Sequence, residues 1–261
     1  MFMTRLCSSV VLVVLSLVTI LTGGYLLAGV LLFLALTAFR ELTKACKLAK
    51  EGGEISALEV IGYLGILAYY LLMVFAADEM ILFLCLITIL VAFMFLYVFT
   101  FPKYHAEQIM CAFFCVAYAP VMLSFIYLVR ILPYGIYSVW MIFISSWICD
   151  TCAYVLSPKK SIEGALGGIF GSALVGALYA YFVVEPAISE QRVTWIFVLI
   201  SAVGAVISQV GDLAASAIKR NHDIKDYGKL IPGHGGVMDR FDSVIFTAPM
   251  IYFLARLLIH G

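Results

Sequence analysis

Long apolar runs follow one another along almost the whole chain, separated by short polar connections. The pattern predicts nine spans, roughly Leu6–Leu21, Tyr25–Phe39, Ala57–Ala76, Met80–Phe101, Ile109–Leu132, Gly135–Cys149, Gly164–Val184, Thr194–Val210 and Ser243–Ile259. Runs approaching 20 apolar residues are long enough to cross a bilayer as helices. The first two are short and meet at Gly23-Gly24, either as a helical hairpin or as one long broken helix. A cleaved signal peptide is the weaker reading, because no small-residue cleavage pattern follows and the apolar run resumes. The expected fold class is therefore all-α: a polytopic integral membrane protein of about nine transmembrane helices. Residues 1–261 are expected to form a single membrane domain, with N-terminal spans in 1–149 and C-terminal spans in 150–261.

One stretch breaks the pattern. Ser216 to Asp242 reads SAIKRNHDIKDYGKLIPGHGGVMDRFD and holds five of the chain's 16 Lys+Arg and four of its 16 Asp+Glu. A membrane helix has no use for such a cluster, so this polar region between the last two spans is where chemistry is expected.

Charge placement orients the chain. With the N-terminus in the cytoplasm and nine alternating spans, 13 of the 16 Lys+Arg fall inside and only Arg130, Arg192 and Arg256 outside. That bias follows the positive-inside rule and puts the polar region in the cytoplasm. Within it, Arg40–Lys50 carries Lys44, Lys47 and Lys50 at three-residue spacing, with Leu42, Cys46 and Ala49 opposite. The stretch reads as an ordinary basic anchor or as an interfacial helix on anionic headgroups.

Composition agrees: 64% hydrophobic and 12% charged residues exclude an ordinary soluble domain. The net charge of zero gives no hint of nucleic acid. Most of the seven cysteines sit in apolar runs, where Cys behaves as a small hydrophobe. Cys149-Asp150-Thr151-Cys152 has redox or metal-pair spacing, but no second pair accompanies it, and packing is the expected role.

The candidate chemistry runs along the polar region. If the eighth span continues as a helix, Asp212, Ser216, Lys219 and Arg220 lie at i, i+4, i+7 and i+8, on one face. A carboxylate near a Lys-Arg pair suits a metal and a phosphate together. Pro232-Gly233-His234-Gly235-Gly236 cannot be helical, exposes backbone N–H groups and precedes a helix start, which makes an anion-binding nest. Asp239 and Asp242 share a face at that helix start, where carboxylates are favoured in any case. Asp150, at the end of the sixth span, is a further carboxylate on the same side. Lys159 and Lys160 form a second basic patch that suits phosphate. His234 has no His or Cys partner at ligand spacing, so it reads as orienting phosphate or a neighbour. The glycine-rich seventh span permits close helix packing.

These residues resemble a known family. Ser216-x-x-Lys219-Arg220, Lys225-Asp226 and Pro232-x-His234-Gly235-Gly236-x-x-Asp239-Arg240-x-Asp242 look like the signature of the phosphatidate cytidylyltransferases. Ser157–Gly164 and Asp150-Thr151-x-Ala153-Tyr154 look like further family elements. The family usually has a Gly- and basic-rich segment before Ser-Pro-Lys-Lys; here Tyr154-Val155-Leu156 runs straight into Ser157.

The resemblance implies transfer of a cytidylyl group from CTP to phosphatidic acid, giving CDP-diacylglycerol and pyrophosphate. It implies Mg²⁺, leaves open a second cation, and implies a homodimer in a bacterial inner membrane with the site facing the cytoplasm. Asp212 and Asp239 are then the expected principal metal ligands, with Asp242 and Asp150 beside them. Lys219, Arg220 and Arg240 would neutralise phosphates. Lys159, Lys160, Ser216, His234, Gly235 and Gly236 would bind substrate. Two other readings stand beside it: a CTP-dependent kinase of a polyprenol- or phytol-type lipid alcohol, and a membrane transporter. A transporter would place ionisable residues near the bilayer midplane, whereas nearly all charges here lie at span ends.

Overall fold

The computed structural model describes residues 13–49, 55–157, 161–188, 193–230 and 235–259. Among the described residues nine helices run in order: α1 (Val13–Thr22), α2 (Gly24–Ala45), α3 (Ala57–Phe75), α4 (Glu79–Thr100), α5 (Ala106–Ile131), α6 (Gly135–Leu156), α7 (Ile162–Ile188), α8 (Val193–Asn221) and α9 (Met238–Ile259). The eight helices α2 to α9 are long and apolar enough to cross a membrane. The chain is thus an all-α, polytopic integral membrane protein. The first expected span begins outside the described residues; its described part is α1, which breaks from α2 at Gly23 and Gly24, both at positive φ (63° and 51°).

The chain forms two compact units. One comprises the described residues of Met1–Ser124 and Ile218–Arg240, the other those of Phe125–Ala217 and Phe241–Gly261. The sequence gives no sign of this division, because the chain passes between the units inside helices rather than at a linker.

Helix starts are fixed by local chemistry. Ser56 and Glu59 form a reciprocal capping box: Glu59 N donates to Ser56 Oγ at 3.2 Å and Ser56 N to Glu59 Oε2 at 2.9 Å. Asp78 Oδ1 accepts from Met80 N and Ile81 N at 2.8 and 3.0 Å to open α4. Ser161 Oγ accepts from Gly164 N at 3.2 Å to open α7. Within α5 the helix widens over Ala117–Val121, where Pro120 cannot donate to the ladder. The buried Tyr70 hydroxyl donates to the Pro120 carbonyl at 2.9 Å, so that polar group is paired. On α4, Met80 and Phe99 are each 79% exposed while Phe93 is fully buried, the arrangement of a helix with a lipid-facing side.

α6 and α8 run well past the ends that the hydropathy pattern indicates. α6 continues past Cys149 to Leu156, with Thr151 Oγ1 donating to the Trp147 carbonyl at 2.7 Å. α8 continues past Val210 to Asn221. Polar residues end an apolar run without ending a helix, because backbone hydrogen bonds are indifferent to side-chain polarity. The basic stretch after Phe39 also differs from an interfacial helix. α2 carries on into it as far as Ala45, and Phe39 and Leu42 are fully buried in protein rather than facing lipid.

The glycines of α7 serve close packing on α6. A Cβ on Gly168 would lie 2.8 Å from the Cys149 carbonyl oxygen and 2.9 Å from its Sγ. Cys149 is fully buried, accepts from Gln209 Nε2 at 3.3 Å, and is a free thiol like Cys152. The Cys149/Cys152 spacing is accordingly a packing feature. Gly168→Leu is expected to destabilise the α6–α7 pair by about 1–3 kcal/mol through overpacking. Thermal unfolding in detergent should show a lowered midpoint, while Leu166→Ala on an exposed face should not.

Candidate functional site

The site residues fall into two groups, one in each unit. In the second unit, the C-terminal end of α6, the start of α7 and the C-terminal third of α8 line a cavity of about 560 Å³. Its polar lining comes from Asp150, Tyr154, Ser157, Ser161, Gln209 and Asp212. Each element is positioned by a specific contact. Gln209 Nε2 donates to the Ala165 carbonyl at 2.9 Å and ties α8 to α7. Ser157 N donates to the Ala153 carbonyl at 2.9 Å and finishes α6. Gly211, next to Asp212, lets α9 approach: a Cβ there would stand 2.9 Å from the Asp242 carbonyl oxygen. Asp242 is half-buried and accepts from Ser243 N at 2.8 Å.

The donor set of this cavity fits Mg²⁺. Asp150 and Asp212 line one space together with Ser157 and Ser161. Mg²⁺ takes hard oxygen ligands, commonly one or two carboxylates with substrate phosphates completing the shell. The cavity also leaves room for such phosphates.

In the first unit the signature region folds about two carboxylates. Asp239 is the first: its Oδ1 accepts from Lys219 Nζ at 3.0 Å, and its Oδ2 accepts from Tyr227 N at 2.9 Å and Gly236 N at 3.0 Å. Its side chain is only 5% exposed. Lys219 Nζ also stands 5.5 Å from the centre of the Tyr227 ring. Gly235 takes φ +87°, and a Cβ there would come 2.8 Å from Asp239 Oδ2. Glycine is therefore required twice over, by backbone conformation and by space.

Glu41, on α2, is the second carboxylate. Its Oε1 accepts from Val237 N at 3.1 Å and its Oε2 from Met238 N at 2.9 Å. It caps the start of α9 across nearly the full length of the sequence, and is 7% exposed. Gly228 and Gly236 pack directly on its carboxylate. The expected anion-binding nest lies partly outside the described residues; the amides of Gly236, Val237 and Met238 serve protein carboxylates. Sequence reasoning missed Glu41 altogether; its only sign is an acid inside the basic stretch Arg40–Lys50.

The expected site residues are thus divided between the two units. Asp212, Ser216, Lys219 and Arg220 do share one continuous helix, α8. Lys219 is drawn onto Asp239 rather than left for phosphate, and Arg220 and Arg240 are exposed. Asp239 is built as the hub of the loop, with its charge balanced by Lys219. Asp150 and Asp212 share the cavity, and Asp242 belongs to the same unit. Lys159, Lys160 and His234 lie outside the described residues.

Comparison with known proteins identifies the family. The profile of the cytidylyltransferase family matches residues 3–258, and the chain belongs to that family. A phosphatidate cytidylyltransferase of Synechocystis sp. is 38% identical over 139 residues, 49% of this chain and 46% of its own length. One from Staphylococcus aureus is 35% identical over 161 residues, covering 56% and 59%. One from Staphylococcus haemolyticus is 29% identical over 266 residues, covering 96% and 97%. The chain spans about half the length of the first two relatives and nearly all of the third.

Proposed function

We propose that the protein transfers a cytidylyl group from CTP to phosphatidic acid, releasing pyrophosphate and forming CDP-diacylglycerol. The observation that carries this reading is the cavity with two carboxylates and two serine hydroxyls at the ends of membrane helices, in a chain of the cytidylyltransferase family. The names of the bacterial relatives support it.

In the proposed reaction a phosphate oxygen of the lipid attacks the α-phosphorus of CTP. The new P–O bond forms as the bond to the β-phosphate bridging oxygen breaks, and pyrophosphate leaves with that electron pair. The attacking oxygen is already anionic, so no general base is needed. The demand is electrostatic: two polyanions must meet and the leaving charge must be stabilised.

Asp150 and Asp212 would hold Mg²⁺, which when bound neutralises phosphate charge. Ser157 would donate a hydrogen bond to a phosphate oxygen in the same cavity, while Gln209, whose amide protons go to Ala165 and Cys149, ties the cavity walls together. Arg220 and Arg240 present exposed guanidiniums that match phosphate geometry. Lys159, Lys160 and His234 are assigned to substrate on their signature positions alone. Ser216 orients phosphate from α8. Gly235 and Gly236 shape the loop about Asp239 and Glu41 rather than touching substrate. The charge bias along the sequence supports a cytoplasmic site in the inner membrane, where the acyl tails stay in the bilayer and only the headgroup reaches the site.

The test is purified protein in detergent with phosphatidic acid, Mg²⁺ and CTP labelled at the α-phosphorus. Label is expected in a lipid-extractable CDP product, with stoichiometric pyrophosphate. Label in water-soluble CDP would replace this reading with a lipid-alcohol kinase. Label remaining in CTP would refute both.

A further inference from the structure

Three thiols of the first unit converge away from the carboxylate cavity. Cys46 ends α2, and Cys111 and Cys115 stand one turn apart on α5, on one face of that helix. Their Sγ atoms all lie within 4.8 Å of one another, and they hydrogen-bond among themselves. None is in a disulfide. Cys115 is fully buried, and Cys46 and Cys111 are half-buried. His222, at the end of α8, is near enough for its charge to act on the Cys111 thiol.

The backbone holds these groups by the same device at two helix ends. At the end of α2, Lys47 N donates to the Lys44 carbonyl at 3.0 Å and Leu48 N to the Thr43 carbonyl at 2.8 Å. At the end of α8, Asp223 N donates to the Arg220 carbonyl at 3.3 Å and Ile224 N to the Lys219 carbonyl at 3.0 Å. Each is a Schellman closure, in which the residue after the cap takes a left-handed conformation. That residue is usually glycine. Here it is Lys47 (φ 55°) and Asp223 (φ 54°), at a cost of about 1 kcal/mol or more each. The residue so placed at the cap is Cys46 in one case and His222 in the other.

We infer that Cys46, Cys111 and Cys115 form a binding site for a thiophilic divalent cation, Zn²⁺; His222 stands outside the group within 4.8 Å and would complete the shell only by closing on the thiols. Zn–S bonds of about 2.3 Å in a tetrahedron place ligand sulfurs about 3.8 Å apart, within the spacing of this cluster. On binding, three S–H protons pass to solvent as three Zn–S bonds form, and no electrons are transferred. Isolated thiols in apolar spans need no such company, and three from two helices at this distance exceed what packing requires. The site would staple the end of α2 to α5 and to the end of α8. Glu41 lies just before Cys46 on α2, and Lys219 just before His222 on α8. The metal would therefore hold in place the two side chains that fix the signature loop. This inference stands on the thiol geometry and is independent of the proposed substrates.

The test uses the full chain in detergent, reduced and stripped of metal, titrated with Co²⁺ as a spectroscopic stand-in and then with Zn²⁺. One equivalent of Co²⁺ is expected to give tetrahedral ligand-field bands with thiolate charge-transfer absorption, abolished by Zn²⁺. Cys111→Ser and Cys46→Ser are each expected to weaken Zn²⁺ binding by about 100-fold or more, and Cys85→Ser to leave it unchanged. His222→Ala should weaken binding by about 10-fold or more while keeping the charge-transfer bands. No charge-transfer absorption, or bands that survive Cys111→Ser and Cys46→Ser, would overturn the site. Unchanged Zn²⁺ affinity in His222→Ala would overturn the fourth-ligand assignment.

Discussion

Asp212→Asn is expected to lower the rate of cytidylyl transfer by about 100-fold or more, with little change in thermal stability. Asparagine keeps the size of the side chain and one acceptor oxygen but removes the negative charge that a divalent cation needs. A loss of that size corresponds to about 2.7 kcal/mol of transition-state stabilisation, within what one electrostatic contact in a closed site supplies. Asp150→Asn, across the same cavity, should behave alike, and both should raise the Mg²⁺ concentration needed for half-maximal rate. Asp239→Asn should also lose activity, but for another reason. It would leave Lys219 facing an uncharged partner inside a loop held by two backbone amides. Its defect should come with a lower unfolding midpoint, and added Mg²⁺ should not restore it. A Mg²⁺ titration of the three variants therefore separates a ligand from a loop hub. Wild-type rates in Asp212→Asn would remove the cavity from the mechanism.

That contrast shows what was legible in the sequence. Helix class follows from the apolar runs, because a bilayer imposes a length that composition reveals directly. The polar region at 216–242 is equally plain, as a long polar stretch between two apolar spans. The internal division of labour is not plain. Asp212 and Asp239 look alike in a motif, and only coordinates reveal that one lines a cavity while the other is ion-paired to Lys219 at 3.0 Å. A glycine-rich loop before a helix reads as an anion site from its backbone alone. Which anion fills it depends on a side chain nearly 200 residues away in the sequence, at Glu41. Cys46 and Cys111 are hidden for the same reason: their nearness is made by helix packing, which leaves no periodic trace in either segment.

Glu41 yields the second large effect. Glu41→Ala leaves the amides of Val237 and Met238 without their acceptor, and both residues are almost fully buried. A buried N–H deprived of its partner costs about 1–3 kcal/mol, so the start of α9 should loosen by several kcal/mol. The loss of an anion from a helix N-terminus adds to that. Activity is expected to fall by about 100-fold or more, because the same loop carries Asp239 and Arg240. Glu41→Gln should fall between Glu41→Ala and the wild type, since its amide retains one acceptor oxygen but turns a donor toward the other N–H. Hydrogen exchange over residues 235–241 is the decisive measurement, as it reads the loop apart from the chemistry. Faster exchange there, with exchange in α3 and α4 unchanged, is the expected result. Unaltered exchange in Glu41→Ala would mean that the cap contributes nothing, and that the loop is held by the Asp239–Lys219 pair alone.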